Sequence, residues 1–209
     1  MQVFNKSMAK KSLVHTWYIY PILVAVSSVL WIWGFNAFHQ PTKHQRLTMF
    51  FATDIKDSSF LTEIKNEHYD REKLREVDAF FALPEAVGYD TKLQLYLTDS
   101  DILVLDEKTI EKYKLVANQI FVPFDEETKN SYLFPENTYF TYDSKDYGVL
   151  IKKKGEESYF SNYMTFDETC DYYLTLSVSS TNLGKMLNKN NEYYDNALTF
   201  MHYLVEKSL

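Results

Sequence analysis

Cysteine is almost missing from this chain: Cys170 stands alone in 209 residues. One thiol excludes an internal disulfide and any cysteine-based zinc cluster, and its ordinary role is that of a small buried hydrophobe. Glycine and proline number five each, too few for long flexible linkers or for collagen-like and low-complexity stretches. No internal repeat is visible either. Basic charge is in deficit, 22 Lys and Arg against 29 Asp and Glu for a net charge of -7. The one basic run, Lys152 to Lys154, is answered at once by Glu156 and Glu157. A nucleic-acid partner is therefore not expected. Charge of both signs is absent from residues 12–42.

What fills that gap is LVHTWYIYPILVAVSSVLWIWGFNAF, residues 13–38. At a rise of about 1.5 Å per residue it reaches roughly 39 Å as a helix, beyond the ~30 Å hydrocarbon core of a bilayer. Trp17, Tyr18 and Tyr20 lie toward one end and Trp31 and Trp33 toward the other, where amphipathic rings settle at headgroup level. A cleaved signal peptide is the rival reading. Its apolar stretch is typically about 7 to 15 residues, and no small-x-small site follows here, since bulky Phe35 precedes Ala37 by two positions. The expectation is one uncleaved transmembrane helix over residues 13–38. Lys6, Lys10 and Lys11 outweigh Lys43 and Arg46, which places residues 1–12 in the cytoplasm and residues 43–209 outside it. His15, Ser27, Ser28 and Asn36 read as interfacial or backbone-bonded groups rather than as an ion path.

The rest has the aromatic content of a real core, with 17 Tyr and 15 Phe in the whole chain. Residues 46–53 read as a strand, residues 58–68 as a helix through Phe60, Leu61 and Ile64, and residues 77–83 as a second strand closed by Pro84. A short helix ends near Thr98. Ile102 to Leu105 is a continuous apolar run between pairs of acids, the pattern of a parallel strand covered on both faces. Asp106 or Glu107 then caps a helix over residues 108–116. Residues 118–125, with Pro123, read as an edge strand. The stretch from 137 to 160 alternates aromatic and polar residues around DSKD and again around KKKGEE, which predicts two antiparallel hairpins. A strand in CDYYLTLSVSSTN and an amphipathic helix through Ala197, Phe200, Met201 and Leu204 close the chain.

Catalytic motifs are wanting. His15, His39, His44, His68 and His202 show no H-x-x-x-H pair, and there is no G-x-S-x-G elbow and no phosphate loop. Neither an enzyme nor a cofactor is expected. Asp99, Asp101, Asp106 and Glu107 suggest a hard-cation cluster, against which stands the simpler reading of solvated and capping acids flanking a strand.

Three stretches, in this order, resemble the extracellular substrate-binding proteins of ABC-type importers. SDILVLDEKTI is similar to that family's third strand. YFTYDSKDYGVL resembles its hairpin Asp-Gly-Lys-x-Tyr-Gly-Val-Pro, which leads from the first lobe toward the second. YYLTLSVSSTN followed by DNALTFMHYL looks like the return strand, its polar loop and the closing helix. Ser144 replaces the turn glycine and Leu150 the proline, and about 20 residues separate Lys152 from Tyr172 where the family inserts a whole second lobe.

The resemblance implies an α/β fold: a single lobe of the periplasmic-binding-protein-like type II class, with a mixed sheet and flanking helices, preceded by one transmembrane helix. One lobe cannot close round a solute, so the implied role is an accessory or docking component beside a permease. The alternative is a receptor lobe that binds a sugar or peptide directly. By analogy the binding surface lies outside the carboxyl ends of the parallel strands. That points to Thr53 and Asp54 after the first strand, Pro84 and Glu85 after the second, Asp106 and Glu107 after the third, and Ser179, Ser180, Thr181 and Asn182 in the return loop. Tyr139, Tyr142 and Tyr147 offer rings for sugar stacking, though cross-strand packing is the plainer role.

Overall fold

The computed structural model describes residues 17–67, 74–132, 134, 138–187 and 194–208. The expected cytoplasmic segment, the first residues of the expected span with His15, and His68 at the end of the expected first helix fall outside these. The chain divides into two units, residues 1–40 and 41–209.

In the first unit, helix α1 (Ile19–His39) has 21 residues and a length of about 32 Å. It is long and apolar enough to cross a membrane, a description that an N-terminal signal sequence also meets. Pro21 sits in its first turn, where backbone N–H groups lack intrahelical partners, so the ring costs little. Ser27 and Ser28 donate to the Val24 carbonyl at 3.0 and 2.8 Å, which satisfies both hydroxyls locally.

The second unit is an α/β domain on a mixed six-stranded sheet. Its strands are β1 (Arg46–Phe51), β3 (Glu76–Phe81), β4 (Ile102–Asp106), β5 (Tyr139–Tyr142), β6 (Lys145–Lys152) and β8 (Tyr172–Leu176), in the order β3-β1-β4-β8-β6-β5. Strands β3, β1 and β4 are parallel, while β8 runs antiparallel between β4 and β6. A second, two-stranded sheet pairs β2 (Asp54–Ile55) with β7 (Met164–Thr165).

The helices are α2 (Ser59–Glu67), α3 (Tyr89–Asp99), α4 (Glu107–Tyr113), α5 (Ala117–Ile120), α6 (Glu126–Ser131), α7 (Gly184–Leu187) and α8 (Asn196–Ser208). Phe60 and Ile64 of α2 share one core with Ala197, Met201 and Leu204 of α8 and with Leu47, Met49 and Val104 of the sheet. Leu93, Leu97 and Ile110 of α3 and α4 pack on Phe50, Leu103 and Leu105 on the other face. All five residues of β4 are buried, as the continuous apolar run predicts for a strand covered on both sides.

Asp106 caps α4 through its Oδ2, which accepts the Thr109 N–H at 3.3 Å. The β5–β6 turn puts Asp143 and Ser144 at φ of 51° and 59°. This is the paired left-handed conformation of a two-residue hairpin turn.

Two expectations are corrected. Residues 118–125 are not an edge strand. They begin in α5 and continue through isolated bridges, Phe121 to Ser177 and Phe124 to Asp146. A continuous strand there would meet Pro123, which has no N–H for a ladder. KKKGEE does turn, with Gly155 at φ 71° and the Glu156 N–H on the Lys153 carbonyl, but no hairpin pairs across it. The strand before it is already taken on both sides, by β5 and β8. The chain after it forms a 3-10 turn, Tyr159–Asn162, and then β7.

Candidate functional site

The direction of each strand sorts the candidate residues. Strands β1, β3 and β4 are parallel, so their carboxyl ends share one edge of the domain; β8 is antiparallel, so the loop after it emerges at the opposite edge. Thr53, Asp54, Pro84, Glu85, Asp106 and Glu107 follow the parallel strands. Ser179, Ser180, Thr181 and Asn182 lie at the other edge, and the ten residues do not form one surface. The return loop separates from the others because β8 reverses direction, pairing Leu176 with Ile102 at the start of β4.

Nor is the carboxyl edge uniformly open. Thr53 is fully buried, and its hydroxyl donates to the Thr165 carbonyl. Lys56 and Asp57 both donate backbone N–H groups to the Tyr163 carbonyl, at 2.7 and 3.2 Å. Glu63 of α2 accepts from the hydroxyls of Tyr159 and Tyr163, the latter at 2.6 Å, with the Lys207 Nζ 3.6 Å away. The tyrosine hydrogen bonds, Tyr159 first, hold the Glu63 carboxyl below its usual pKa. Residues between β6 and β8 therefore fold down onto the end of β1. Asp54 remains exposed, its Oδ1 accepting the N–H of Ile55 at 3.0 Å.

Beside this covered end lies a recess of about 290 Å³ between α3 and α4, lined by Pro84, Glu85, Tyr89, Asp106, Thr109 and Tyr172 among others. Asp106 is 3% exposed. Its Oδ2 is committed to the α4 cap and its Oδ1 is buried with no hydrogen-bond partner. Tyr89 donates to or accepts from Thr109 Oγ1 at 3.3 Å, and burial raises its phenol pKa. The Tyr172 hydroxyl accepts the Asp167 N–H at 2.9 Å, and burial pushes that phenol up to about 12. Two ion pairs border the recess, Lys108 with Asp167 at 3.2 Å and Lys112 with Asp90 at 2.7 Å. The Thr169 backbone N–H leads the hydrogen bonds that hold the Asp167 carboxyl well below the ordinary range. Glu107 is exposed at the start of α4.

At the opposite edge, Asp101 organises the return loop. Its Oδ2 accepts the Thr48 N–H at 2.9 Å; its Oδ1 accepts Ser180 Oγ at 2.5 Å and Asn182 Nδ2 at 3.3 Å. Burial raises the Asp101 pKa against the pull of those hydrogen bonds. Ser180 and Asn182 are buried, Thr181 is half-buried and Ser179 is exposed. Their polar groups serve the fold of the loop. Asp101 and Asp106 stand at opposite ends of β4, roughly 17 Å apart along the strand, so the four acids of this region cannot share a cation. Among the described residues no group of three or more His, Cys, Asp or Glu side chains is placed to hold a metal ion.

The tyrosines of the hairpin also go to packing. Tyr147 is buried, and Tyr139 and Tyr142 are half-buried against the two cores. Tyr89 and Tyr172 of the recess were missed as site residues. Tyr89 was within reach, because Tyr89, Leu93 and Leu97 repeat every four residues and mark the buried face of α3. The pairing of Lys108 with Asp167 joins residues 59 apart in the chain and left no local signal.

These observations define an α/β domain with a mixed six-stranded sheet, following one N-terminal apolar helix. No protein-family model matches the chain, and neither a curated protein nor a solved structure matches it.

Proposed function

We propose that this protein is a one-lobe, membrane-anchored counterpart of importer substrate-binding proteins, acting as an accessory or docking component beside the permease of an ABC-type importer. The observation that carries this reading is the position of β8. Three parallel strands are followed by a hairpin, and the strand after residues 153–171 returns antiparallel between β4 and β6. This matches the order of motifs on which the resemblance rests, with a short segment where a second lobe would start. That segment supports docking over engulfment, since it is short for a lobe and its residues 163–165 are spent on bonds to residues 53–57 after β1. Capture by one face forfeits much of the buried contact that offsets the entropy of association.

In this reading α1 remains uncleaved as a single-pass anchor, with the domain extracytoplasmic. Ala25 and Ser28, three apart on one face of α1, are the small residues on which a partner helix packs. The test is purification of the full chain in mild detergent after light crosslinking in its native membrane, with mass spectrometry of the captured proteins. Enriched permease and ATPase subunits are the expected result, and Leu at positions 25 and 28 is expected to weaken their retention. Recovery of the chain without transporter subunits overturns the docking reading. A second reading, a receptor lobe that binds a small molecule directly, draws on one observation: the recess beside Asp106.

A further inference from the structure

Strand β3 is an edge of the six-stranded sheet, paired on one side with β1. The Ala82 N–H donates to the Phe51 carbonyl, and successive strand residues direct their backbone groups to opposite sides. Phe81 and Ala79, one and three positions before Ala82, therefore turn their N–H and C=O groups outward. Among the described residues no backbone group pairs with them there. Val77 is buried, so the open stretch begins at Asp78. Its side chains are apolar where edge strands commonly carry charge. Phe80 is 38% exposed and stacks on Tyr96 with ring centroids 4.6 Å apart, and the exposed Leu83 and Val87 follow in the loop after it. The acids of the strand, Glu76 and Asp78, both pair with Arg46 Nε, at 2.8 and 3.4 Å. The charge that would repel another strand is thus answered within the chain.

We propose that β3 pairs antiparallel with β3 of a second copy of this chain, about a two-fold axis at Phe80. The strand's own residues select this register. Ala79 stands opposite Phe81 of the copy and Phe81 opposite Ala79, each pair exchanging both N–H···O bonds. Phe80 meets its own counterpart in a non-hydrogen-bonded pair, where side chains approach most closely and aromatic pairs are favourable. Asp78 falls opposite Ala82, so no acid faces an acid. An axis at Asp78 would set two carboxylates against each other, and an axis at Ala79 would require the buried Val77 as a partner for Phe81. An unrelated strand satisfies the same backbone groups, but the self-complementary order from Asp78 to Ala82 favours a copy of this chain. The inference does not rest on the docking reading, since a second copy and an importer subunit are different partners, told apart by mass.

The test begins with Phe80→Cys in the full chain, oxidised with copper phenanthroline in native membranes. Its Cα atoms would stand about 4.5 Å apart, within disulfide reach, and the native Cys170 is buried. A disulfide-linked dimer is expected. Asp78→Cys, offset from its counterpart by roughly 13 Å along the strands, is expected to yield about tenfold less. In mild detergent, the parent should sediment as a dimer. Ala79→Pro removes an outward N–H that the fold does not use, and Phe80→Lys sets two like charges at the axis. Each should sediment as a monomer with a melting temperature near that of the parent, and Phe80→Lys serves if the proline variant does not fold. A monomeric parent, no disulfide dimer from Phe80→Cys, equal yields from the two cysteine positions, or a dimer that survives Phe80→Lys overturns the proposal. Capture of importer subunits is read separately, so failure of either idea is recognised without the other.

Discussion

Asp101 is the residue whose loss should be felt most at the amino edge of the sheet. Its carboxylate accepts from Thr48 N–H, Ser180 Oγ and Asn182 Nδ2, and its own backbone bonds Thr48 and Ser177. Asp101→Ala leaves three donors in a buried setting with no acceptor. Each unpaired donor costs about 1–3 kcal/mol, with partial relaxation through water, so a total of about 3 kcal/mol or more is expected. For a domain of this size that lowers the melting temperature by roughly 6–12 °C. Asp101→Asn retains one oxygen, which can serve Ser180 and Asn182 while its amide faces the Thr48 N–H, and should cost about half as much.

The pH dependence gives a second signature. The folded-state pKa of Asp101 is raised, so the folded protein holds this proton more tightly than the unfolded chain. Its contribution is fully present below the unfolded value and is lost as pH rises through the raised folded value. The difference in stability between parent and Asp101→Asn should shift in that direction across the window. Thermal and urea unfolding of the full chain in mild detergent measure both effects. An Asp101→Ala protein within about 0.5 kcal/mol of the parent would refute the claim that this carboxylate pins the return loop.

Three further outcomes follow from local geometry. Ser144, at φ 59°, lies in a conformation that L side chains resist, so Ser144→Gly should raise stability by roughly 1 kcal/mol in urea unfolding. Gly148→Ala should lower it by about 1–3 kcal/mol, because a Cβ there would stand 2.9 Å from Thr175 Cγ2 and 3.2 Å from Tyr173 Cβ. Glu63→Gln should loosen the 3-10 turn Tyr159–Asn162 and the Tyr163 that follows it, seen as faster hydrogen exchange in residues 159–165. The Glu63 carboxyl has a lowered pKa, so the parent's contribution is present above the unfolded value and fades as pH falls through the lowered one. The variant should lack that acid-side loss.

Much of the fold was legible because its elements carry local signatures. The strands β1, β3, β4 and β8, the helices α2 and α8, and the DSKD turn each follow from apolar periodicity or turn chemistry, and the structure places them within a few residues of the expected bounds. The Asp106 cap was readable for the same reason: an acid at the end of an apolar run, with a helical pattern beginning beside it. Residues 118–125 misled because alternating Ile120, Val122 and Phe124 look like a strand. Their partners are isolated bridges from distant residues, and only tertiary packing decides such a segment. The candidate site was half legible. Which residues follow a strand is a matter of sequence order, whereas the edge on which they emerge depends on strand direction. Nothing within YYLTLSVSSTN reveals that β8 is antiparallel, and so the return loop was grouped with the wrong edge. The covering of Thr53 by β7 depends on pairing across more than 100 residues and has no local trace.

In the docking reading the carboxyl edge of the parallel strands, where the analogy puts the binding surface, faces the partner. A photo-crosslinking amino acid placed at Glu85 or Glu107, on the carboxyl edge, and in separate variants at Thr181 or Ser179, on the opposite edge, tests it in native membranes. All four positions leave the buried core intact. Crosslinks to a permease subunit from Glu85 and Glu107, with none from Ser179 and Thr181, are the predicted result. Permease crosslinks confined to the return loop, or no permease crosslink from any of the four, would contradict the account.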